Sequence, residues 1–327
     1  MAGIHGSITE LVGNTPLVEF KRLEEKLGLK ARIVGKLEYF NPAGSSKDRI
    51  ALSMIEGAEA EGKLKPGSTI VEFTSGNTGV GLAAVAAAKG YKIHIAVQPG
   101  TSAERLQLVK AYGAETFEPS FDGPDVLDVL DQVDKYAAEI PDAWVPEQFY
   151  NENNNGAHYR TTGPEIWRDT DGQVDIFIAG VGTGGTATGT GKFLKEQNPK
   201  VKVVAVEPHP DSVSIPPEGK FVEEITGIHK FTEVDPRIVP GNVHPDEYDE
   251  IAEIRFNEGL AVTRLLAKEE GVLVGPSSGA ALYEGIRQAR KPENEGKLIV
   301  VLLPDSGERY LSQDIFAPRA ELGEVEL

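Results

Sequence analysis

The chain of 327 residues contains no cysteine and has only two methionines and two tryptophans. Without cysteine, disulfide bonds, thiolate catalysis and cysteine-ligated metals are excluded. Long hydrophobic runs are also absent: the longest near-apolar stretch, VGLAAVAAA, ends at Lys89 and is far shorter than the roughly 18 residues of a membrane helix. The N-terminal stretch MAGIHGSITE has no basic segment followed by an apolar one, so no signal peptide is predicted. We therefore expect a cytoplasmic protein without membrane contact.

Basic residues are scarce relative to acidic ones. Lysine and arginine total 33 against 51 aspartates and glutamates, which gives a formal net charge of −18. Such a surface would repel a polyanion, so nucleic acid is not an expected partner. The six histidines show no HExxH motif or similar spacing, and no metal site is predicted.

Short β-rich runs alternate with alanine-rich helical stretches along the chain, a pattern typical of parallel α/β folds. The predicted strands cover residues 69–74, 91–97, 174–180, 201–208, 271–275 and 297–304. The region 208–250 is rich in Pro, Asp and Glu and is expected to be irregular. The length is sufficient for about two domains of ordinary size.

Three predicted strands end in a small-residue loop that opens a helix: TSGNTG (74–79), GVGTGGT (180–186) and GPSSGA (275–280). In a parallel sheet such loops gather beyond the carboxyl ends of the strands, where ligands bind. Each loop offers backbone N–H groups, hydroxyls and a helix N-terminus, which favour anions. Close packing of a helix on a strand also requires glycine and could explain any one loop. Three together indicate a ligand with several polar or anionic groups.

The second loop also fits a dinucleotide fingerprint. Gly180, Gly182 and Gly185 match the G-x-G-x-x-G pattern, and Glu207 ends the next strand where a ribose-binding acid would lie. A nicotinamide-dependent oxidoreductase is therefore an open alternative. It gives no role to TSGNTG or to Lys47.

The third loop matches the nucleophile elbow of hydrolases through Gly275, Ser277 and Gly279. That fold requires an acid and then a histidine after the serine. The last histidine, His244, precedes Ser277, so the order of residues excludes a hydrolase of this type.

Lys47 lies in the stretch EYFNPAGSSKDRIA, where a helix is predicted to begin after a Pro-Ala-Gly turn. A lysine in this position usually points to water, with Ser45 capping the helix and Asp48 completing a capping box. A lysine that performs chemistry is the alternative, because a helix N-terminus disfavours a further positive charge and helps to keep an amine neutral.

A set of motifs spans almost the whole chain, from about Ile8 to Leu311: GNTPLV (13–18), KLEYFNPAGSSKDRIA (36–51), VEFTSGNTG (71–79), QFYNENNNGAHYRTTGPEIW (148–167), AGVGTGGT (179–186), VGPSSGA (274–280) and GERYLS (307–312). In this order they resemble the cysteine synthases (O-acetylserine sulfhydrylases), which are pyridoxal phosphate (PLP) enzymes of fold type II. The resemblance implies an α/β fold like that of tryptophan synthase β. Such a fold has two open, mostly parallel twisted sheets flanked by helices, with the active site between two domains.

The resemblance implies that Lys47 is the catalytic residue, forming the Schiff base with PLP and acting as general base. Asn77 is expected to hydrogen-bond the ring hydroxyl oxygen, and Ser277 to face the pyridine nitrogen. A carboxylate would keep that nitrogen protonated and make the ring a strong electron sink. A neutral serine does so less well, which favours elimination of a β-leaving group. The cofactor phosphate is expected at Gly182, Thr183, Gly184, Gly185 and Thr186.

The implied reaction is a β-replacement that makes L-cysteine from O-acetyl-L-serine and sulfide and releases acetate, through an aminoacrylate intermediate. Further implied partners are a second copy of the chain, in a homodimer, and the C-terminal tail of serine acetyltransferase, whose carboxylate would use the TSGNTG loop. The substrate carboxylate is expected at Thr74, Ser75, Asn77, Thr78 and Gln148.

The resemblance also implies a division into two domains. The larger one would comprise residues 1–40 and 155–327, with the phosphate loop and Ser277. The smaller, mobile one would comprise residues 41–154, with Lys47 and the loop for the substrate carboxylate.

The chain departs from the family pattern at TGIHKFTEVDPRIVP (226–240), where glycines are usual. His229 and Lys230 would lie near the mouth of the site, where a cation would favour an anionic donor such as O-phosphoserine. The alternative is that Lys230 points to solvent and has no effect on the donor. Cystathionine β-synthase and β-cyanoalanine synthase activities occur on the same scaffold. The donor and the nucleophile therefore stay open at this point.

Overall fold

The computed structural model describes residues 3–74, 76–98, 101–120, 126–214, 222–223, 225–313, 315–317 and 325. They form an α/β fold with two mostly parallel sheets and a small two-stranded sheet, flanked by helices. The predicted fold class is confirmed. No helix in these ranges is both long and apolar enough to span a bilayer. The same ranges hold no group of three or more His, Asp or Glu residues arranged to bind a metal ion.

The first sheet has six strands. β1 is antiparallel to β2, and every other neighbouring pair is parallel. Hydrophobic cores cover both faces of this sheet, which explains why its central strands are almost continuously apolar. In spatial order the strands are β1 (Leu17–Glu19), β2 (Arg32–Leu37), β12 (Leu298–Leu303), β7 (Ile176–Gly180), β8 (Lys202–Pro208) and β11 (Glu250–Ile254).

The second sheet has four strands, all parallel. In spatial order they are β5 (Glu115–Phe117), β4 (Lys92–Ala96), β3 (Thr69–Phe73) and β6 (Ala143–Trp144). The two-stranded sheet pairs β9 (Val213–Ser214) with β10 (Val222–Glu223).

Helices α1, α9 and α10 cover one face of the six-stranded sheet, and α2 and α3 form a separate core with the second sheet. A Cβ on Gly81 of α3 would lie 3.0 Å from the carbonyl oxygen of Lys47, so glycine permits the close approach of α3 to the start of α2. The helices are α1 (Lys21–Leu27), α2 (Lys47–Ala60), α3 (Asn77–Lys89), α4 (Ala103–Ala111), α5 (Val126–Ala138), α6 (Glu152–Arg160), α7 (Thr162–Asp169), α8 (Gly185–Gln197), α9 (Phe256–Glu270) and α10 (Pro276–Arg290).

One predicted strand is wrong. In the segment 271–275 only Val274 makes a β-bridge, with Ser306. Pro276 then begins α10, because proline suits the first position of a helix. Ser277 therefore lies within the first turn of a helix and not in a loop that precedes it. The region 208–250 is irregular as predicted, since its described residues form only 3₁₀ turns and the strands β9 and β10 before β11 begins.

Candidate active site

Lys47 is the first residue of α2 and follows a tight turn. Its backbone N–H donates to the Ser45 hydroxyl at 3.2 Å, but the N-cap position is occupied by Ser46, whose side chain makes no capping hydrogen bond. The Asp48 Oδ2 accepts the Ala43 N–H at 2.6 Å. Burial raises the pKa of Asp48 to about 7, and hydrogen bonds from the backbone of Ala43 and Ser45 act against this. The contacts of Ser45 and Asp48 fix the path of the chain just before the lysine.

The electrostatic surroundings of Lys47 suit a nucleophilic amine. Burial lowers the pKa of Lys47, and the carboxylates of Asp305 and Glu38 oppose that shift. The direction agrees with the expectation of a largely neutral amine, and burial is the main cause of the lowered pKa. Burial, together with the Lys47 charge, lowers the pKa of His229 to about 4. The pKa of His158 falls to about 3, also mainly through burial. Both imidazoles are therefore neutral at pH 7.

The loop at residues 182–186 joins β7 to α8 and is shaped by glycine. Gly184 has a φ of +92°, and a Cβ there would lie 2.6 Å from Cγ2 of Val243. A Cβ on Gly182 would lie 2.5 Å from the Gly227 carbonyl oxygen. The first backbone N–H groups of α8 have no partner within the helix and open into this loop. A loop of this form can bind a phosphate group.

Two side chains of the same loop are oriented by neighbours on α6. The Thr183 hydroxyl accepts a hydrogen bond from Asn154 Nδ2 at 2.9 Å. The Thr186 hydroxyl lies 3.1 Å from His158 Nε2. Hydroxyls held in this way, together with backbone donors, fit the monophosphate of PLP.

The predicted residues for the substrate carboxylate lie around the start of α3. The Thr74 hydroxyl accepts the Gly76 N–H at 3.1 Å. The Thr78 hydroxyl donates to Gln148 Oε1 at 2.7 Å, which brings two of the predicted residues together. Ser75 lies outside the described residues.

Two asparagines that the sequence reasoning missed join this region to the phosphate loop. Asn154 Nδ2 donates to the Gln148 carbonyl oxygen at 2.8 Å as well as to Thr183. Asn242 Nδ2 donates to the same carbonyl oxygen at 2.8 Å. Asn154 lies within the long motif 148–167, but nothing in the sequence alone identified its partners.

Asn77 is the first residue of α3 and is held from both ends of its amide. Its Nδ2 donates to Asp305 Oδ2 at 2.7 Å, and its Oδ1 accepts from Arg309 Nη1 at 2.6 Å. Ser277 is buried in the first turn of α10. Its Oγ would lie 3.7 Å from a Cβ on Gly227, the glycine that also touches the phosphate loop.

The prediction that Lys230 lines the mouth of the site is wrong. Its amine bonds to Glu207 at 2.8 Å and to Glu253 at 2.6 Å, and the side chain is 10% exposed. Two carboxylates therefore hold this cation away from the site. His229 does lie at the site: its Cδ2 would be 3.8 Å from a Cβ on Gly182, and the Lys47 charge helps to lower its pKa.

Glu207, the acid that the dinucleotide interpretation assigns to a ribose, is fully buried and already engaged. Its Oε2 accepts the backbone N–H groups of Phe231 at 2.8 Å and Thr232 at 3.0 Å. Its Oε1 accepts from Lys230 and from the Thr232 hydroxyl. Glu207 therefore shapes the segment that follows His229.

A buried cluster of charges lies beside Lys47 and was not predicted. Arg49 of α2 bonds to Glu38 at 2.7 Å and to Glu165 at 2.7 Å, and Lys36 bonds to Glu165 at 2.8 Å. Burial would raise the pKa of Glu165, but Arg49 and Lys36 outweigh it and lower the value to about 2. The cluster ties α2 to the end of β2 and to α7.

Comparisons with known proteins agree with this arrangement. Residues 8–305 match the family described as pyridoxal-phosphate dependent enzyme. The chain is 44% identical over 313 residues to cysteine synthase 3 of Caenorhabditis elegans, which covers 94% of this chain and 89% of that protein. The crystal structure of the cysteine synthase of Entamoeba histolytica matches with a TM-score of 0.85 and 39% identity, over 97% of this chain and 92% of that chain. A hydrogen sulfide-producing enzyme of Fusobacterium nucleatum matches with a TM-score of 0.85 and 37% identity, over 95% of this chain and 99% of that chain.

Proposed function

Because the chain belongs to the family of pyridoxal-phosphate dependent enzymes, we propose that it makes L-cysteine from O-acetyl-L-serine and sulfide and releases acetate. The observation that carries this proposal is the convergence of three parts on one place. The Lys47 charge acts on His158, which contacts Thr186 of the phosphate loop. Gln148, which accepts from Thr78, is joined through Asn154 to Thr183 of the same loop. Glu207, which a nicotinamide-dependent enzyme would need for the ribose, is buried and already accepts hydrogen bonds from Lys230, Phe231 and Thr232.

PLP, when bound, withdraws electrons from the α-carbon of the amino acid. We assign its phosphate to residues 182–186, its ring hydroxyl oxygen to Asn77 and its ring nitrogen to Ser277. Lys47 holds PLP covalently and, once released, takes the α-proton and later returns it. Its lowered pKa keeps more of the amine in the neutral form that these steps require.

The remaining residues bind and orient the substrate. Thr74, Thr78 and Gln148, with Ser75 and Asn77, bind the α-carboxylate, which the N–H groups at the start of α3 also favour. We propose that residues 41–154 form a smaller domain that closes on the larger one (1–40 and 155–327) when this contact forms. Closure would exclude water from the reacting group.

The surroundings of His229 favour an uncharged β-substituent. His229 is neutral because burial lowers its pKa to about 4, and Lys230 is paired with Glu207 and Glu253. Neither His229 nor Lys230 therefore presents a free positive charge to the β-substituent of the donor. This supports O-acetylserine over O-phosphoserine as the preferred donor, and the test is a comparison of kcat/KM for the two.

Borohydride reduction of the purified yellow protein, followed by peptide mapping, tests the assignment of Lys47. We expect a pyridoxyl group on Lys47 and release of L-cysteine from O-acetylserine and sulfide. Lys47→Ala should lose both the label and the product, whereas Lys110→Ala, at an exposed position of α4, should retain both. A label on another lysine would refute the assignment.

We also propose that the protein is a cytoplasmic homodimer. Leu11 is 44% exposed and Phe40 58% exposed. The Gly13 N–H donates to Asn41 Oδ1 at 2.7 Å, which brings their two segments together. An exposed apolar surface of this kind suits a second copy of the chain. Sedimentation of wild type and Phe40→Glu tests this, and cell fractionation tests the location.

The substrate loop could also receive the C-terminal carboxylate of a serine acetyltransferase. The support is chemical: a peptide carboxylate and a substrate carboxylate need the same N–H groups and hydroxyls. A peptide of that tail should be retained by the protein and be displaced by O-acetylserine. Retention that O-acetylserine does not reduce would place the peptide elsewhere.

A further inference from the structure

Asp305 lies two residues after the end of β12 and neither binds nor reacts in the function proposed above. Asp305 is completely buried. Its Oδ2 accepts hydrogen bonds from Asn77 Nδ2 at 2.7 Å and from the Tyr310 hydroxyl at 2.5 Å. Its Oδ1 is buried without a hydrogen-bond partner in the described part of the chain. A buried carboxylate is costly to maintain, so its direct contact with a cofactor residue calls for an explanation.

Arg309 reaches the same amide from the other side. It is 6% exposed, and its Nη1 donates to Asn77 Oδ1 at 2.6 Å. Its Nη2 donates to the carbonyl oxygen of Ala43, in the turn that precedes Lys47. Gly44 in that turn has a φ of +83°, and a Cβ there would lie 2.6 Å from Nη2. The turn is thus shaped to admit the guanidinium.

These two contacts fix which way the Asn77 amide faces. A guanidinium only donates hydrogen bonds, so it must meet the amide oxygen. An ionised carboxylate only accepts them, so it must meet the amide nitrogen. With one Nδ2 hydrogen on Asp305, the second hydrogen remains to donate to another acceptor.

We propose that Asp305 and Arg309 are positioning residues, which orient Asn77 so that its remaining Nδ2 hydrogen meets the ring hydroxyl oxygen of PLP. This inference rests on the cofactor assignment of the proposed function and adds two residues to it. Arg309 also joins this contact to the turn before Lys47. The Arg309 side chain thereby links the residue that would bind the ring oxygen to the turn that positions Lys47.

A purely structural role would make a different prediction. If Asp305 and Arg309 act on PLP through Asn77, their effects on PLP binding must disappear once Asn77 is removed. If they merely support the fold, their effects and that of Asn77 must add. Measuring the Kd of the apoprotein for PLP in single and double variants therefore separates the two.

The variants are Asp305→Leu, Arg309→Met, Asn77→Ala and the two doubles with Asn77→Ala. We expect each single substitution to weaken PLP binding about tenfold and to shift the visible absorbance band of the bound cofactor, because one hydrogen bond to the ring is misplaced. In the Asn77→Ala background each should change the Kd by less than about twofold. Asp305→Asn keeps an acceptor and should restore binding to within about threefold of wild type.

Tyr310→Phe is the matched control, because it removes the other hydrogen bond to Asp305 Oδ2 and leaves the Asn77 contact intact. It should bind PLP as wild type does. Thermal unfolding of each apoprotein identifies any variant that does not fold. If the Asp305 variant does not fold, the double-mutant cycle of Arg309 with Asn77 tests the proposal, and the reverse holds if the Arg309 variant does not fold. Additive effects on the Kd, or single variants that bind PLP like wild type, would overturn this inference and leave the proposed function standing. A wild-type apoprotein that does not bind PLP would overturn the proposed function as well.

Discussion

Arg49 follows the site lysine by two positions, and its side chain is completely buried against Glu38 and Glu165. Removing one member of a buried ion network leaves uncompensated charges, which costs about 3–5 kcal/mol. We therefore expect Glu165→Gln to lower the free energy of unfolding by about that amount in urea titrations. The matched control is Glu61→Gln, which breaks an exposed pair with Lys63 and should leave the midpoint unchanged.

The pH dependence of that loss gives a second check on Glu165. Its pKa is lowered from 4.5 to about 2, so the unfolded state binds more protons than the folded state between these values. The contribution of the ionised group is present above pH 4.5 and is lost as the pH falls through 2. The difference between wild type and Glu165→Gln should shrink over that range, and a constant difference would contradict the role of its charge.

Glu72 shows the opposite behaviour at the end of β3. Burial raises its pKa to about 8, although the N–H groups of Gln148 and Phe73 act against this. The folded state therefore binds the extra proton, and stability is lost as the pH rises from 4.5 through 8. Glu72→Gln cannot ionise but loses one acceptor oxygen. We expect it to be less stable than wild type at pH 5 and to approach or exceed wild type at pH 8 in urea titrations. A gap that stays the same would contradict this.

The residues that could be predicted from the sequence are those in short motifs. Lys47, Thr183 and Thr78 all lie in such motifs, and contacts through Gln148 and Asn154 connect Thr78 to Thr183. Asp305 could not be assigned a role, because its partner Asn77 is 228 positions away. The prediction for Lys230 failed because its partners are also distant in the sequence. Nothing near Lys230 indicates that its amine would form ion pairs with Glu207 and Glu253.

At the scale of the elements, hydrophobic pattern predicted most buried parallel strands, since these carry near-continuous apolar runs. The run at 271–275 has the same composition but makes only one bridge, because a helix-starting proline follows it at 276. β2 and β11 were not predicted. β2 is interrupted by Gly35 and Lys36, and β11 carries two glutamates, Glu250 and Glu253, at the edge of the sheet. Their pairing is decided by distant strands.

The packing of α6 on α8 supports the phosphate loop and depends on glycine. A Cβ on Gly189 of α8 would collide with the backbone carbonyl of Asn155 on α6, which cannot move independently. We expect Gly189→Ala to lower the free energy of unfolding by about 1–3 kcal/mol. It should also weaken PLP binding, because α6 carries Asn154 and His158. Thermal unfolding and PLP titration measure the two effects.

Gly156, on α6, is the matched control for Gly189. A Cβ there would meet only the end of the Arg160 side chain, 2.6 Å away, which can rotate. Alanine favours a helix interior over glycine by up to about 1 kcal/mol. Gly156→Ala should therefore leave stability unchanged or slightly raised. Equal losses in the two variants would show that the backbone contact of Gly189 is not the cause.

For the whole molecule, the dominant feature is an excess of acid: 51 acidic against 33 basic residues. Lys230 is shared between Glu207 and Glu253, and Lys89 between Glu56 and Glu59. A net charge of −18 opposes the compact state through self-repulsion, which salt screens over a length of about 10 Å at 0.1 M and about 3 Å at 1 M. The free energy of unfolding should therefore depend on ionic strength.

We expect the urea midpoint of unfolding to rise steadily as NaCl is raised from 0.1 to about 1 M, because the screening length becomes shorter over this range. General effects of salt on apolar burial would also raise it, so a charge variant is needed to separate the two. Neutralising four exposed acids that make no ion pair in the described structure should raise the midpoint at low salt. The same substitutions should also reduce the slope of the urea midpoint against salt concentration. These acids are Glu118, Asp131, Glu139 and Glu293. An unchanged slope in that variant would assign the salt effect to apolar burial and not to repulsion among the surface carboxylates.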